Sequence, residues 1–318
     1  AILPLPRDIL SGMKIAPTVV SYLRGGLSRG SMTGHGEGEA GFTLDGIPMN
    51  DSDQGFLYMG IDTGMAWDMV EEVGVVATGA SAANFNSMGG MINVITKSGG
   101  NKFSGEASFY YTNKNLVGIS IPKESLSALG LAQPSIPVYS YDTSFSLGGP
   151  IIRDKIWFLA EFRYLNSEYT GDFTPTVIAG KQYTAYNRTF PNYIGFLKLS
   201  ALVTSNIRAS AMAHYSYQNV PYYYSGWNRT DQVNSNNRPL RLNYAGNLSW
   251  TITGNTVVDL KVGGLYFKWQ GLYTPAADPN GPAFVDDYTT YSWGRMSSES
   301  YTYKPKVNVS VNLTRFLD

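Results

Sequence analysis

Leu240–Ile252 reads LRLNYAGNLSWTI, and its period of two decides the fold class. Leu240, Leu242, Tyr244, Gly246, Leu248, Trp250 and Ile252 form one face; Arg241, Asn243, Ala245, Asn247, Ser249 and Thr251 form the other. Such alternation marks a strand with one greasy and one polar side. The preceding segment repeats it: Ile207, Ala209, Ala211, Ala213, Tyr215 and Tyr217 stand against Arg208, Ser210, Met212, His214, Ser216 and Gln218. Weaker versions cover Phe103–Thr112, Tyr141–Leu147, Ile156–Leu165, Tyr193–Val203, Val257–Phe267 and Tyr301–Leu313, which makes about eight strands.

The links between these segments alternate in length. Long ones span Asn113–Ser140, Asn166–Asn192, Asn219–Pro239 and Gly271–Ser300, while GGPIIRDK at Gly148–Lys155, TSN at Thr204–Asn206 and TGN at Thr253–Asn255 are short. A soluble sandwich has no reason to keep that order, whereas an outer-membrane barrel has short periplasmic turns on one rim and long loops on the other. The segments also suit tilted membrane strands of about 9–11 residues better than ordinary strands of about 5–6. Tyr110, Tyr111, Tyr164, Tyr193, Tyr217, Trp250, Tyr266, Phe267, Tyr301 and Tyr303 sit near segment ends, where interfacial girdles lie.

Composition agrees with this and excludes other classes. Charged residues are only 15 %, aromatics reach 14 % with 23 tyrosines, and the net charge is zero, so there is no electrostatic footprint for nucleic acid. Cysteine is absent, which removes disulfide scaffolds and thiolate metal sites. No apolar run approaches about 18 residues, so no helical span is expected. A barrel keeps mean hydropathy low, and the value here is −0.16. Ala1–Pro6 lacks the basic start and apolar core of an export signal, which is expected to lie elsewhere.

The region before the strands, residues 1–97, is irregular and glycine-rich. It carries LPLPRDILSGMKIAP at Leu3–Pro17, YLRGGLSRG at Tyr22–Gly30, FTLDGIPMND at Phe42–Asp51 and MGGMINVITKSGGN at Met88–Asn101, and these motifs resemble the plug domain of TonB-dependent outer-membrane receptors, in particular the Oar-like branch. The first is similar to the early plug, and the second to the arginine-glycine strand. The third resembles the strand and turn built on an aspartate-glycine pair, and the fourth the passage from plug to wall. GGPIIRDKIWFLAEF at Gly148–Phe162 resembles the first periplasmic turn and the strand after it. Phe85 and Asn86 depart from the tyrosine and glycine usual in the family, although asparagine tolerates a left-handed backbone.

Physically, Asp45 and Gly46 suit a tight turn, and Gly89 and Gly90 permit backbone conformations closed to larger residues. The resemblance makes Arg24, Gly25, Asp45, Gly46, Gly89, Gly90, Asn93, Thr96, Lys97 and Gly99 the plug-motif residues. It implies an all-β dominated fold: a transmembrane antiparallel β-barrel around an N-terminal α+β plug in the lumen. Residues 1–97 would be the plug and 98–318 the first part of the barrel. Eight strands enclose only their own side chains. A plugged transporter of about 22 strands is therefore expected, with about 14 outside this chain.

Glu106, Glu161 and Arg163 fall on inward strand faces. They are candidates for plug–barrel gating contacts with Arg24 or Arg29, or for simple hydration in a polar lumen. Tyr222, Tyr223, Tyr224, Trp227, Tyr288, Tyr291 and Trp293 lie on long loops, where they could stack on a ligand or pack against the rim. GHGEGEAG at Gly34–Gly41 lacks the lysine and following helix of a phosphate loop and reads as a plug loop. His35 and His214 have no metal-ligand spacing, and the pairs Asp51/Asp53 and Asp286/Asp287 lack a calcium-loop pattern, so no metal or cofactor is expected.

No nucleophile, base and oxyanion arrangement can be assembled, which argues against an enzyme. The resemblance implies a receptor in the outer membrane of a Gram-negative bacterium, bathed in outer-membrane lipid. It would bind a solute at its extracellular loops and import it with TonB and the inner-membrane motor complex. The alternative is a plugged barrel with a structural, surface-assembly or protein-export role.

Overall fold

The computed structural model describes residues 41–50, 67–76, 90–118, 125, 137–170, 175–223, 228–288, 290–296 and 298–316, together with the backbone of 19–24 and 27–32. Strands β1 (Val19–Arg24) and β2 (Leu27–Met32) form an antiparallel hairpin. A four-stranded inner sheet follows, from β3 (Gly41–Leu44), β4 (Ile47–Pro48), β5 (Val70–Val76) and β6 (Met91–Thr96), in the order β4-β3-β6-β5. β3 runs parallel to β6; the other two pairs are antiparallel. A 3-10 turn, Trp67–Met69, leads into β5, and the described residues of this region are strands and this turn, with no α-helix among them.

Eight long strands then build a wall: β7 (Ser104–Asn113), β8 (Pro137–Ile152), β9 (Ile156–Thr170), β13 (Asn192–Thr204), β14 (Ile207–Gln218), β16 (Leu240–Thr253), β17 (Thr256–Tyr273) and β20 (Ser300–Arg315). Between them the long links carry β10 (Thr176–Ile178), β11 (Lys181–Tyr183), β12 (Asn187–Thr189), β15 (Ser235–Asn237), β18 (Ala283–Val285) and β19 (Ser292–Gly294). Each wall strand pairs antiparallel with the next in sequence, which gives an open arc with β7 and β20 at its edges.

All eight expected strands are present; β14 matches its periodic segment, β7 is displaced from its own by one residue, and the other six are longer than theirs. The largest difference is in β8, where Gly148–Ile152 continues the strand and only Arg153–Lys155 turns. The glycines are there for close packing: a Cβ at Gly149 would overlap the Phe103 ring, and one at Gly148 would lie 3.1 Å from the Leu159 side chain.

Register places opposite partners on the same face, and burial tells the faces apart. Leu197 is 46 % exposed while its neighbour Lys198 is only 7 % exposed. The same inversion runs through the wall. Phe145, Phe162, Tyr215, Leu248, Trp250 and Val262 are exposed, whereas Ser144, Arg163, His214, Ser216, Arg241 and Asn243 are buried. A water-soluble sheet does the reverse; a membrane barrel turns its apolar residues outward to lipid.

Tyrosines mark one border of the outer face. Tyr111 pairs with Tyr141, Tyr164 with Tyr193, and Tyr193 with Tyr217. Ring centroids lie 5.6 Å apart for Tyr141 and Tyr164, and 4.8 Å apart for Tyr164 and Tyr193. This border adjoins the long links. From Tyr193 to Val203, at the opposite border, β13 advances about 33 Å, or about 25 Å of height at a tilt near 40°, the height of a barrel's apolar band.

The core lies between the inner sheet and the wall. Phe42, Leu44, Ile47, Met49, Met69, Ile92 and Val94 pack against Ile194, Phe196, Met212, Ala245, Leu265 and Phe267. Each such side chain contributes roughly 1.5–3 kcal/mol on burial, so the sheet is bound to the wall by much of its own hydrophobic content.

Candidate functional site: the seat of the inner sheet

The site begins with the turn between β3 and β4. Leu44 pairs with Ile47, which leaves Asp45 and Gly46 as a two-residue loop with φ of 49° and 79°. Both angles are left-handed, the combination of a type I′ turn that favours aspartate followed by glycine. Gly46 has a second reason to lack a side chain, because a Cβ there would collide with the Lys261 ammonium from β17.

The turn aims the Asp45 carboxylate at the end of β6. The Thr96 amide donates to Oδ1 at 2.9 Å and the Thr96 hydroxyl to Oδ2 at 2.7 Å. Lys198 reaches in from β13 and donates to Asp45 Oδ2 at 3.0 Å, to the Thr96 carbonyl at 3.0 Å and to Thr96 Oγ1 at 2.8 Å. All three ammonium protons are thereby used. The side chains of Lys198 and Asp45 are 8 % and 6 % exposed, so the ion pair is closed to water. A buried pair of this kind survives only with full hydrogen bonding, and here both partners have it.

Further contacts circle the sheet. Asp68 Oδ2 accepts from the Ser144 hydroxyl on β8 at 2.8 Å, and Lys306 and Asn308 on β20 donate to the carbonyls of Asn50 and Pro48, each at 3.0 Å. Asn50 in turn accepts from the Phe42 amide at 2.7 Å, which closes the β3–β4 corner.

The passage from β6 to β7 is strapped to the first short turn. Asn101 Oδ1 accepts from the Asp154 amide at 2.9 Å and from Trp157 Nε1 at 2.7 Å, while Asn101 Nδ2 donates to the Asp154 carboxylate. Asp154 holds a left-handed backbone, φ 61°. A Cβ at Gly99 would overlap the Phe158 carbonyl, so glycine is required for the strap to lie on β9.

Other expected plug-motif residues have defined places. Gly90, at φ 106°, accepts from the Gly41 amide at 2.9 Å, and Asn93 Oδ1 accepts from the Thr43 hydroxyl at 2.6 Å. The Lys97 amide donates to Met69 at 2.8 Å. Gly25 and Gly89 lie outside the described residues, as do the side chains of Arg24 and Arg29 on β1 and β2.

By register, Glu106, Glu161 and Arg163 are all on the inner face; Glu161 and Arg163 are buried and Glu106 is exposed. Arg163 forks the Asp142 carboxylate of the neighbouring wall strand at 2.7 and 2.6 Å. Among the described residues, contacts that join the sheet side and the wall are made by Lys198, Ser144, Asn247, Lys306 and Asn308. Period-two reading gives their face but not their partners. The one usable signal for Lys198 is that it is the sole charge in NYIGFLKLSALV.

The long loops interlock. The Tyr183 hydroxyl and the Gly294 amide both donate to Gln232 Oε1, at 3.1 and 3.3 Å, and Asn234 donates to the Tyr186 hydroxyl at 2.7 Å. Tyr291 and Trp293 pack on Ile178 and Tyr183, and Tyr222 on Tyr186 with centroids 5.0 Å apart. Tyr223 lies 6.4 Å from Trp269. Burial first, and the nearby Asp231 charge second, push the Tyr183 and Tyr222 phenols upward. Of the described ligand candidates, Tyr288 stands almost fully exposed, at 95 %. Tyr224 and Trp227 lie outside the described residues.

No protein-family model matches the chain. The TonB-dependent transporter Oar of Myxococcus xanthus is 29 % identical over 133 residues, which is 42 % of this chain and 12 % of that protein. Among solved structures, the outer membrane transporter YddB from Escherichia coli superposes with a TM-score of 0.68 at 12 % identity, covering 97 % of this chain and 43 % of that one. The ferric enterobactin receptor PfeA from Pseudomonas aeruginosa gives 0.62 at 16 % identity, with 97 % and 44 % covered. The siderophore receptor PirA from Acinetobacter baumannii gives 0.61 at 15 %, with 95 % and 42 % covered. The chain thus spans less than half the length of each of these proteins. At such identities the structures carry the fold alone, that of plugged outer-membrane barrels, and the Oar match is a partial sequence similarity. The partial Oar match and these structures support reading the chain as a fragment similar to TonB-dependent receptors.

Proposed function

We propose that this chain belongs to an outer-membrane receptor of a Gram-negative bacterium that binds a solute on its external loops and imports it through the barrel. Residues 1–97 act as the plug and 98–318 as the first part of the wall. TonB and the inner-membrane motor complex supply the force, and no covalent chemistry is involved. The observation that carries the proposal is the inverted wall, whose apolar residues face outward and whose buried charged and amide side chains face inward, with an inner sheet seated on that inner face. The interlocked loops offer a preformed platform from which Tyr288 projects. Arg24 and Arg29 on the plug, with Glu106, Glu161 and Arg163 on the wall, remain candidates for contacts that change on opening.

The test compares the solutes removed from growth medium by cells with and without the full-length receptor, each with and without TonB. Ferric enterobactin, named for one structural neighbour, is the first single probe. A solute taken up only when receptor and TonB are both present supports import. A receptor-dependent phenotype that persists without TonB, with no solute removed, would favour the structural or protein-export role.

A further inference from the structure

We propose that the first short turn of the wall is a docking site for an anionic phospholipid of the periplasmic leaflet. Lys102, Arg153 and Lys155 hold the headgroup phosphate, and Phe103, Ile151 and Ile152 hold the first part of the acyl chains. The proposal rests on the membrane reading of the wall, with its short turns on the periplasmic rim, and not on import.

The apolar half of the site lies at the border of the wall away from the long links. Phe103, Ile151, Ile152 and Val203 are each at least 50 % exposed there. The Phe103 ring covers Gly149 and lies 6.4 Å from the Phe158 ring, whose ladder partner Leu199 faces outward. The patch therefore continues the lipid-facing surface to its edge. At the opposite border tyrosines meet the interface; here phenyl and aliphatic side chains run directly into positive charge.

Lys102 directly precedes Phe103, and Arg153 and Lys155 follow Ile152. All three are exposed and form no ion pair among the described residues. The strap brings the two stretches together, since Asn101 accepts from the Asp154 amide and from Trp157 Nε1. Asn101 also donates to the Asp154 carboxylate, so the acid of the turn is engaged by an amide and not by the three cations. The Lys155 carbonyl accepts from the Leu202 amide at 2.8 Å, which sets the end of β13, with Val203, beside them. The other two short turns, Thr204–Asn206 and Thr253–Asn255, carry no charge. Cations are thus gathered at one place along the rim, and a basic cluster bordering apolar surface at headgroup depth has the chemistry of an anionic lipid site. A zwitterionic lipid, whose own ammonium offsets its phosphate, is held less well.

The experiment is native mass spectrometry of the full-length receptor released from detergent micelles, titrated with phosphatidylglycerol as the anionic probe and phosphatidylethanolamine as the zwitterionic one. The combined variant Lys102→Gln, Arg153→Gln, Lys155→Gln is expected to lose one tightly retained phosphatidylglycerol and to keep its phosphatidylethanolamine unchanged. Removing the same number of charges near the long links, with Lys114→Gln, Lys181→Gln and Arg238→Gln, should alter neither. Ile151→Ser with Ile152→Ser should weaken phosphatidylglycerol retention several-fold with every charge in place, and Arg153→Gln alone serves if the combined variant fails to assemble. Unaltered retention in the site variants would overturn the proposal and leave the patch to a periplasmic protein. Equal loss in the site and control variants would overturn it as general charge attraction. Displacement of the lipid by glycerol phosphate at equal concentration would also overturn it, since a bare phosphate site has no use for the apolar patch. Neither TonB nor solute enters the measurement, so failure here is distinguishable from failure of the import reading.

Discussion

The Lys198 ammonium, on the wall, donates to the Asp45 carboxylate of the inner sheet at 3.0 Å across 153 residues of sequence. Replacing Lys198 by Met leaves Asp45 buried without its counter-charge, which costs about 3–5 kcal/mol for a pair of this burial. The double variant Lys198→Met with Asp45→Asn removes both charges and should recover much of that loss. Hydrogen exchange of the β3 and β6 amides in the full receptor measures both. A double variant no more protected than the single one would show that the pair is not the coupling.

Gly46→Ala should destabilise the β3–β4 turn by about 1–2 kcal/mol from its left-handed backbone alone. The displaced Lys261 ammonium adds to this. Adding Lys261→Ala to the variant should return the steric share and leave the backbone share, as read by the same exchange measurement. Complete recovery would mean that the turn tolerates a side chain at φ 79°.

The strap makes a proteolytic prediction. Asn101→Ala loses its hydrogen bonds to Asp154 and Trp157, and Gly99→Ala forces the chain off the Phe158 carbonyl. Either change should raise tryptic cleavage after Lys97 and Lys102 several-fold, scored by mass spectrometry on the lipid-embedded receptor. Equal cleavage in all three proteins would contradict a strapped exit.

The loop platform has a pH response with a definite sign. Burial and the Asp231 charge raise Tyr183 and Tyr222 above the ordinary phenol value of 10.0, so the folded loops hold these protons more tightly than the unfolded chain. Their contribution is fully present below that ordinary value and is lost as pH rises through the folded one. Ultraviolet titration should show a late tyrosinate fraction, which Asp231→Asn shifts to lower pH. A single transition at the ordinary value, in both proteins, would mean that the loops do not bury these phenols.

The wall was legible in the sequence because alternation survives any detail of packing: all eight periodic segments became strands. Their ends were not. Gly148 and Gly149 read as turn residues, yet they pair with Leu159 and Phe158 inside the β8–β9 ladder, where Leu159 and Phe103 leave little room for a side chain. The Asp45–Gly46 turn was also legible, since two left-handed residues in succession require that composition. Its role in the seat was not. Lys198 and Thr96 lie 102 residues apart, with no periodic or local signal that links them. Loop aromatics such as Tyr291 and Trp293 looked available for a ligand, and the fold spends them largely on other loops.

The central claim is that the wall is inside out, with lipid on one face and the plug on the other. An accessibility scan of β13 tests it most directly, using single cysteines from Tyr193 to Val203 carrying nitroxide labels in the full receptor in bilayers. The account predicts that Tyr193, Leu197 and Leu199 collide with lipid-dissolved oxygen while Phe196 and Lys198 are shielded from both oxygen and a water-soluble relaxant. Uniform access of the water-soluble relaxant along the strand, without a period of two, would contradict it.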